Sequence, residues 1–185
     1  MARYGLPTTA ATWAIADTGY PPRDARSILV DLDGTLTDPA HRVRYLRLVP
    51  PDWVAFTFAA GGDTPNRALI SWLRTHCPDH VMVIVSGRPS YAMRLTKAWL
   101  AEHGVRWNVI ALRPRGDIVP GVAHKLRVLA ALRDLNLAPE LAIDDSAAVR
   151  QAFMAEAIAC RGAAPSGVAV GVQGEAGGLA EGVDG

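Results

Sequence analysis

The sequence predicts an α/β domain with a mostly parallel central sheet flanked by helices. Short apolar runs of strand type alternate along the chain with longer stretches of helical periodicity. Three of these runs end in polar residues: Asp31 follows the first, Ser86 another and Asp144 a later one. Strands that alternate with helices form a parallel sheet covered on both faces, and ligands bind beyond the carboxyl ends of its strands. We therefore expect a single Rossmann-like domain with one polar crevice.

Composition fits a globular protein without a membrane span. The chain has 185 residues, enough for one domain to bury a full core, and half of them are hydrophobic. No run of 18 uninterrupted apolar residues occurs. Residues 10–16 faintly resemble the apolar part of a signal peptide, but the run is short and contains Thr12. Two cysteines make no disulfide framework, so we expect a cytoplasmic protein.

The charge is unevenly distributed along the chain. Residues 163–185 hold three acidic side chains and no Lys or Arg, so the remainder carries 19 basic and 15 acidic side chains. This mild excess is too small for a nucleic-acid coat protein but suits an anionic substrate. Lys97 and Lys125 are the two lysines among many arginines. A lysine in such a chain suggests a need for a compact point charge.

The ends of the chain are expected to lie outside the domain, which spans residues 28–161. Residues 1–27 are rich in Ala, Thr and Pro and predict an extended lead-in that ends at the first strand, about 27–32. Residues 162–185 are rich in Gly and lack aromatic side chains, which predicts a disordered tail.

Residues 39–62 leave room for no more than a small cap over the site. They contain a basic stretch, a Pro50-Pro51 break and a Gly61-Gly62 loop. Arg42, Arg44 and Arg47 of this region are interpreted as the solvated face of a helix. The alternative is that they line the rim of the site. A small cap would leave the crevice open to a polymer end.

The rest of the chain alternates helices and strands. Asp63-Thr64-Pro65 is expected to start a helix, because Pro is favoured at the first helical position. The later strands are expected near 81–85, 107–112, 141–143 and 158–160, and the later helices from Pro89, over about 120–135 and after Ser146. Ser146 is placed to cap the last of these helices.

The stretch from Asp31 to Thr35 carries two carboxylates one residue apart, directly after a strand. Such carboxylates repel each other unless a cation lies between them. Gly34 allows the backbone to turn and to approach a ligand closely. A calcium loop of EF-hand type would need an acidic residue where Thr35 stands. We interpret the stretch as a Mg²⁺ site with one Asp free to act as a nucleophile, rather than as a turn with two solvated acids.

With three later positions, this stretch resembles the four motifs of the haloacid dehalogenase (HAD) superfamily of phosphotransferases. The motifs are Asp31–Thr35, Ser86 at a strand end, Lys125 in a helix, and Asp144-Asp145 at another strand end. The resemblance covers roughly residues 28–160. Each motif alone is weak, but all four occur in order and on the right kind of element.

The resemblance implies a role for each residue. Asp31 would attack phosphorus and form an aspartyl-phosphate, and Asp33 would protonate the leaving oxygen and then activate water. Thr35 and Ser86 would donate hydrogen bonds to the phosphoryl oxygens, and Lys125 would add a fixed positive charge. The implied Mg²⁺ ligands are Asp31, the backbone carbonyl of Asp33, and one or both of Asp144 and Asp145.

A narrower resemblance is to the 3′-phosphatase domain of bacteriophage polynucleotide kinase. Val85–Arg88, Arg113, Gly116-Asp117 and Lys125 follow in that family's order, together with Thr96, Trp99-Leu100 and Leu141–Asp145. This implies that Arg88 and Arg113 bind the substrate phosphate beside Gly87. The chain contains no Gly-Lys-Ser/Thr motif, so kinase activity is not implied.

These observations predict a Mg²⁺-dependent phosphatase that removes a 3′-phosphate from a DNA or RNA end, as in nucleic acid repair. The alternative is a nucleotide or small-molecule phosphatase with the same mechanism. A non-catalytic binding module is disfavoured, because every position with a chemical role is filled.

Each site residue also has a structural interpretation. Ser86 suits a helix cap, Lys125 a solvated helix face, and Asp144-Asp145 a cap at a helix start. His76, Cys77 and His80 do not form a convincing zinc site, because neighbouring residues seldom chelate one ion and a fourth ligand is missing. The other histidines are interpreted as surface residues: His41, His103 and His124.

Overall fold

The structure, a computed structural model, describes residues 13–16, 22 and 25–163. Predictions for the remaining residues, among them most of the lead-in and of the Gly-rich tail, lie outside this range. The described residues contain eight strands: β1 (Trp13–Ile15), β2 (Ser27–Val30), β3 (Thr37–Asp38), β4 (Thr64–Pro65), β5 (Val81–Pro89), β6 (Val109–Arg113), β7 (Pro139–Ile143) and β8 (Ala159–Arg161).

Five α-helices lie between these strands in the described part of the chain: α1 (Trp53–Phe58), α2 (Arg67–His76), α3 (Met93–Glu102), α4 (Gly121–Asp134) and α5 (Ala147–Ala155). Short 3₁₀ helices span Ala40–Arg47, Ala59–Gly62 and Ser90–Ala92. None of the described helices is long and apolar enough to cross a membrane.

The predicted fold class is confirmed. Within the described residues, six strands form one sheet in the order β1-β6-β5-β2-β7-β8, and every pairing except that of β1 with β6 is parallel. All four residues of β2, at the centre, are buried, as a strand covered by helices on both faces requires. The carboxyl ends of β5, β2 and β7 therefore meet at one edge of the sheet.

Two apolar layers hold the helices on the sheet. On one face, Ile28 and Ile84 of the sheet pack with Leu69 of α2 and Trp99 of α3. On the other face, strand residues pack with residues of α4 and α5, among them Leu29, Val83, Leu129 and Phe153. Neighbouring residues of each strand thus enter different layers, as the alternation of side chains along a strand dictates.

The structure differs from the predicted elements at three places. Part of the expected lead-in, Trp13–Ile15, forms an edge strand antiparallel to β6. The helix expected at Asp63-Thr64-Pro65 begins at Arg67, because Asn66 caps it by accepting a hydrogen bond from the Leu69 amide. Thr64–Pro65 instead pairs with β3.

The segment between β3 and β4, residues 39–62, is referred to below as the insert. It consists of a 3₁₀ helix, α1 and a second 3₁₀ helix, and the antiparallel pairing of β3 with β4 closes its base. Asp52 caps α1 by accepting a hydrogen bond from the Ala55 amide. The role of the insert as a small cap stays a prediction.

Candidate active site

Asp31, Lys125 and Asp144 meet at the carboxyl edge of the sheet. Asp31 follows β2 and Asp144 follows β7, and these strands are adjacent and parallel. The Nζ of Lys125, from α4, donates to Oδ1 of Asp31 at 2.7 Å and to Oδ2 of Asp144 at 2.5 Å. All three side chains are buried, which is unusual for charged groups unless they are paired. Lys125 is therefore not on a solvated helix face.

Asp145 joins this group and completes an acidic cluster. Carboxylate oxygens of Asp31, Asp144 and Asp145 all lie within 4.8 Å of one another. Hard oxygen donors in this number suit Mg²⁺ or Ca²⁺. Gly34 has a φ of +89°, and a Cβ at its position would overlap the Asp145 carboxylate. Only glycine therefore allows the Asp31–Thr35 turn to approach this carboxylate so closely.

The pKa values in the cluster reflect crowded negative charge. Burial raises the pKa of Asp31 to about 7 despite the opposing charge of Lys125, and Asp144 adds to the rise. Burial and the charge of Asp144 also raise the pKa of Asp145. One lysine faces three carboxylates, so a bound divalent cation would relieve the repulsion that remains. The donor set therefore fits the Mg²⁺ that the sequence resemblance implies.

Asp33 binds two arginines instead of Lys125. Its Oδ1 accepts hydrogen bonds from Nη2 of Arg88 at 2.6 Å and from Nη2 of Arg42 at 2.6 Å. Nε of Arg88 lies 3.0 Å from the same oxygen. Burial acts to raise the pKa of Asp33, but the charges and hydrogen bonds of Arg88 and Arg42 outweigh it and hold the pKa below its usual range. Asp33 is therefore a carboxylate at neutral pH.

Asp63 is the second acid that these arginines share. Arg42 holds it through two parallel bonds, Nε to Oδ1 and Nη2 to Oδ2, each 2.7 Å long. Nη2 of Arg88 donates to Oδ2 of Asp63 at 2.9 Å. Two arginines and two aspartates thus form one neutral group, called the charge network below: Asp33, Arg42, Asp63 and Arg88.

The interpretation of Arg42 as part of a solvated helix face is wrong. Its side chain is completely buried, and its guanidinium also lies 4.1 Å from the centre of the Phe56 ring. Arg44 and Arg47 are exposed, as predicted. The sequence offered no sign that one of three similar arginines is buried, because the difference depends on Asp33, Asp63 and Phe56, which are 9 to 21 residues away.

Loss of one member of the charge network should destabilise the fold. Removing one partner of a buried ion pair costs about 3–5 kcal/mol, because the other charge stays buried without its partner. We therefore expect Arg42→Met to lower the free energy of unfolding by about that amount in urea denaturation. The matched control is Arg44→Met, an exposed arginine in the same 3₁₀ helix, which should change it by less than about 0.5 kcal/mol. Equal losses in the two variants would contradict the assignment.

Several predicted site residues line one cleft of about 330 Å³. They are Asp31, Asp33, Ser86, Gly87, Lys125 and Asp145, and the cleft is completed by Gly121, Val122, Ser146 and Val149. Ser146 also caps α5, as predicted, by accepting a hydrogen bond from the Val149 amide. The sequence thus located most of this cleft through its strand-end motifs.

Thr35 and Ser86 are held so that their hydroxyl protons remain available. Oγ1 of Thr35 accepts a hydrogen bond from the Asp145 amide at 3.0 Å, and Oγ of Ser86 accepts one from the Arg88 amide at 3.1 Å. A hydroxyl that accepts through oxygen still has its own proton to donate.

The two arginines implied by the phage-enzyme resemblance lie in different surroundings. The Arg88 side chain is 2% exposed and contacts Asp33 and Asp63. Arg113 lies at the edge of the cleft: its Nη2 would be 3.9 Å from a Cβ placed on Gly87 or on Gly121, and its Nη1 donates to the Val119 carbonyl. The geometry separates the two residues, which the sequence pattern had grouped together.

His124 was interpreted as a surface residue, and this is wrong. It is buried next to Lys125, and its Nε2 lies 3.2 Å from the Ser86 carbonyl oxygen. Burial lowers the pKa of His124. His124 therefore links α4 to the end of β5 that carries Ser86.

A parallel sheet that brings an Asp-x-Asp turn, a serine, a lysine and an aspartate pair to one edge defines a HAD-type phosphatase domain. A search against protein families supports this class: the family described as polynucleotide kinase PNKP phosphatase domain matches residues 25–165. Because the match covers most of the chain, the chain belongs to this family, and the resemblance seen in the sequence is confirmed.

Solved structures agree on the fold. The structure titled "Structure of Pnkp1/Rnl/Hen1 complex" has a TM-score of 0.63 and 21% identity, over 86% of this chain and 50% of that chain. The structure "Structure of the Pnkp1/Rnl/Hen1 RNA repair complex" has a TM-score of 0.62 and 21% sequence identity, and the match covers 85% of this chain and 47% of that chain. The chain thus spans about half the length of these two proteins.

A third similar structure is Protein Tyrosine Kinase A (PtkA) of Mycobacterium tuberculosis. Its TM-score is 0.51 at 16% identity, over 84% of this chain and 92% of that chain. No curated protein sequence matches the chain significantly.

Proposed function

We propose that the protein hydrolyses the 3′-phosphate at the end of a DNA or RNA strand through an aspartyl-phosphate on Asp31. The main support for this mechanism is that Asp31 lies together with Lys125, Asp144 and Asp145 at one cleft. Membership of the polynucleotide kinase phosphatase family supports the choice of substrate, as does the RNA-repair context named in a similar structure.

Asp31 is the proposed nucleophile. Lys125 binds its Oδ1, which fixes the carboxylate and leaves Oδ2 as the attacking oxygen. Attack on phosphorus forms an acyl-phosphate bond and breaks the bond between phosphorus and the 3′ oxygen. Asp31, Asp144, Asp145 and the backbone carbonyl of Asp33 would hold Mg²⁺. When bound, Mg²⁺ supplies positive charge that offsets the charge of the phosphoryl oxygens.

Asp33 is the proposed acid and base. Asp33 is a carboxylate in the free protein, and the negative charge of a phosphate bound beside it acts to raise its pKa; in the first step the protonated Asp33 gives its proton to the leaving 3′ oxygen. In the second step water gives a proton to the Asp33 carboxylate and attacks phosphorus, which releases phosphate and restores Asp31. The lowered pKa of Asp33 favours the second role, since the carboxylate is the form that accepts a proton.

The charge network gives Arg88 and Arg42 a positioning role. Both bind Oδ1 of Asp33 and are themselves held by Asp63, so the carboxylate has a fixed orientation at the cleft. We therefore propose that Arg113, at the edge of the cleft, is the arginine that meets the phosphate. Thr35 and Ser86 would donate their free hydroxyl protons to the phosphoryl oxygens.

The metal requirement and the substrate class can be tested together. Turnover of p-nitrophenyl phosphate should vanish in EDTA and return with Mg²⁺. A 3′-phosphorylated oligonucleotide should have a kcat/KM about tenfold or more above that of p-nitrophenyl phosphate, because groups remote from the reacting phosphate add binding energy. Full activity in EDTA would overturn the metal assignment. Higher kcat/KM for mononucleotides or sugar phosphates would instead favour a small-molecule phosphatase of the same mechanism.

A further inference from the structure

The insert and the turn after β5 expose three large aromatic side chains. Trp53 and Phe58 of α1 are each 61% exposed, and Tyr91 is 42% exposed. We call these three residues the aromatic face. The rings of Phe58 and Tyr91 lie 6.0 Å apart, so α1 and the turn after β5 contribute to one surface, and Trp53 lies at the other end of α1. Large exposed apolar groups that cluster in this way mark an interaction site.

The aromatic face is connected to the candidate active site by direct contacts. The Trp53 ring packs edge-on against Phe56, with 6.0 Å between the ring centres. Phe56 in turn packs on the guanidinium of Arg42, which binds Asp33. Tyr91 follows Arg88 by three residues, just beyond the end of β5. The insert that carries Trp53 and Phe58 therefore packs directly on the group that holds the Asp33 carboxylate.

The charges next to the aromatic face are positive. Arg44 and Arg47 are exposed in the 3₁₀ helix that precedes α1, and Arg94 is exposed close to Tyr91. Residues 39–62 contain a single acidic residue, Asp52, which caps α1. Exposed rings between arginines suit single-stranded nucleic acid, because bases stack on the rings while arginines attract the phosphates.

We propose that the aromatic face stacks the bases that precede the phosphorylated 3′ nucleotide. This proposal rests on the proposed function and adds the location of the rest of the strand. Trp53, the largest of the exposed rings, is the principal stacking residue. Leu48, Val49 and Val54 are also exposed nearby, and they would suit a protein partner or a second copy of the chain. The exposed arginines of the insert and of α3, and the packing of the insert on the group that holds Asp33, favour nucleic acid.

The test measures kcat/KM for two substrates, a 3′-phosphorylated oligonucleotide and p-nitrophenyl phosphate, on the full chain with Mg²⁺. The ratio of the first value to the second is then compared between the wild type and its variants. Bases of any sequence can stack on an aromatic side chain. Trp53→Ala removes this stacking and should lower the ratio about tenfold. Trp53→Phe should retain most of the ratio, because it keeps a ring. The matched control is Met154→Ala, another exposed apolar residue, which lies on α5 and should keep the wild-type ratio.

A second measurement uses oligonucleotides that lack the bases next to the phosphorylated nucleotide. The wild-type protein should lose about tenfold in kcat/KM on such a strand, whereas Trp53→Ala should lose little more, since the same contact is already gone. Equal losses in the two proteins would overturn the proposal.

The outcomes separate this proposal from the proposed function. If wild-type protein does not prefer the oligonucleotide to p-nitrophenyl phosphate, the substrate assignment fails. If it does prefer the oligonucleotide but Trp53→Ala keeps the ratio, only the aromatic face is refuted. Dimerisation in sedimentation equilibrium that Trp53→Ala abolishes would also overturn the proposal, since a second copy would then occupy this surface.

Discussion

Asp31→Asn should lower kcat on every phosphomonoester by roughly 10⁴-fold or more while the protein remains folded. An amide oxygen is a poor nucleophile, so the acyl-phosphate bond no longer forms. The amide has nearly the same shape as the carboxylate and still offers Lys125 an oxygen to bind, and Lys125 keeps its bond to Asp144. Phosphate release in single-turnover and steady-state assays measures the loss.

The stability of Asp31→Asn serves as an internal control. The pKa of Asp31 is about 7 in the folded protein, above the value of about 3.9 in an unfolded chain. The folded state therefore binds this proton more tightly, and ionisation of Asp31 lowers stability as the pH rises from about 4 through 7. At pH 8 in EDTA, Asp31→Asn should be at least as stable as the wild type.

Asp79→Asn is the matched activity control. Asp79 is exposed and precedes β5, at the opposite edge of the sheet from the cleft. It should keep wild-type turnover. Near wild-type turnover in a folded Asp31→Asn protein would contradict the covalent mechanism.

Asp33→Asn should produce a different kinetic signature from Asp31→Asn. Loss of an acid–base group costs about 10²–10⁴-fold in rate. With p-nitrophenyl phosphate the leaving group needs no proton, so the first step proceeds and the second stalls. We therefore expect a burst of about one p-nitrophenolate per protein, followed by slow turnover.

The same variant should show no burst on a 3′-phosphorylated oligonucleotide, because the 3′ oxygen leaves only with a proton. Capture of the phosphorylated protein by intact mass spectrometry during the burst would locate the stalled step. Steady turnover without a burst, at wild-type rates on both substrates, would show that Asp33 is not the acid and base.

The sheet and the polar edge that carries the candidate site could be predicted because both depend on local patterns. Strands that are buried on both faces consist of continuous runs of apolar residues, as in β2 and the first part of β5. Parallel topology then brings the residues that end these runs to one edge, which is why Asp31, Ser86 and Asp144 were expected in one crevice, whereas Lys125 was added by its place in the order of the HAD motifs. Ser146 was identified as a cap because capping involves residues only three positions apart.

The charge network could not be predicted, because its contacts join distant parts of the chain. Asp63 was expected to start a helix, yet its carboxylate binds Arg42 and Arg88, 21 residues before it and 25 after it. His124 was interpreted as a surface residue, but α4 packs this position against the Ser86 carbonyl. In each case burial follows from tertiary packing, to which local sequence patterns are insensitive.

The grouping of Arg88 with Arg113 shows the limit of a motif. The resemblance to the phage enzyme implied that both arginines bind the phosphate. The structure gives Arg88 two carboxylate partners and leaves Arg113 at the rim of the cleft. A side chain as long as arginine can serve either purpose from one backbone position, so spacing alone does not distinguish them.

One oligonucleotide that carries a phosphate at both ends would show which phosphate the protein removes. After incubation with the protein and Mg²⁺, mass spectrometry of the strand and of its nuclease fragments identifies which phosphate has been lost. We predict loss of the 3′-phosphate with the 5′-phosphate retained, and no loss from either end with Asp31→Asn. Loss of the 5′-phosphate, or an intact strand under conditions in which p-nitrophenyl phosphate is hydrolysed, would contradict the account.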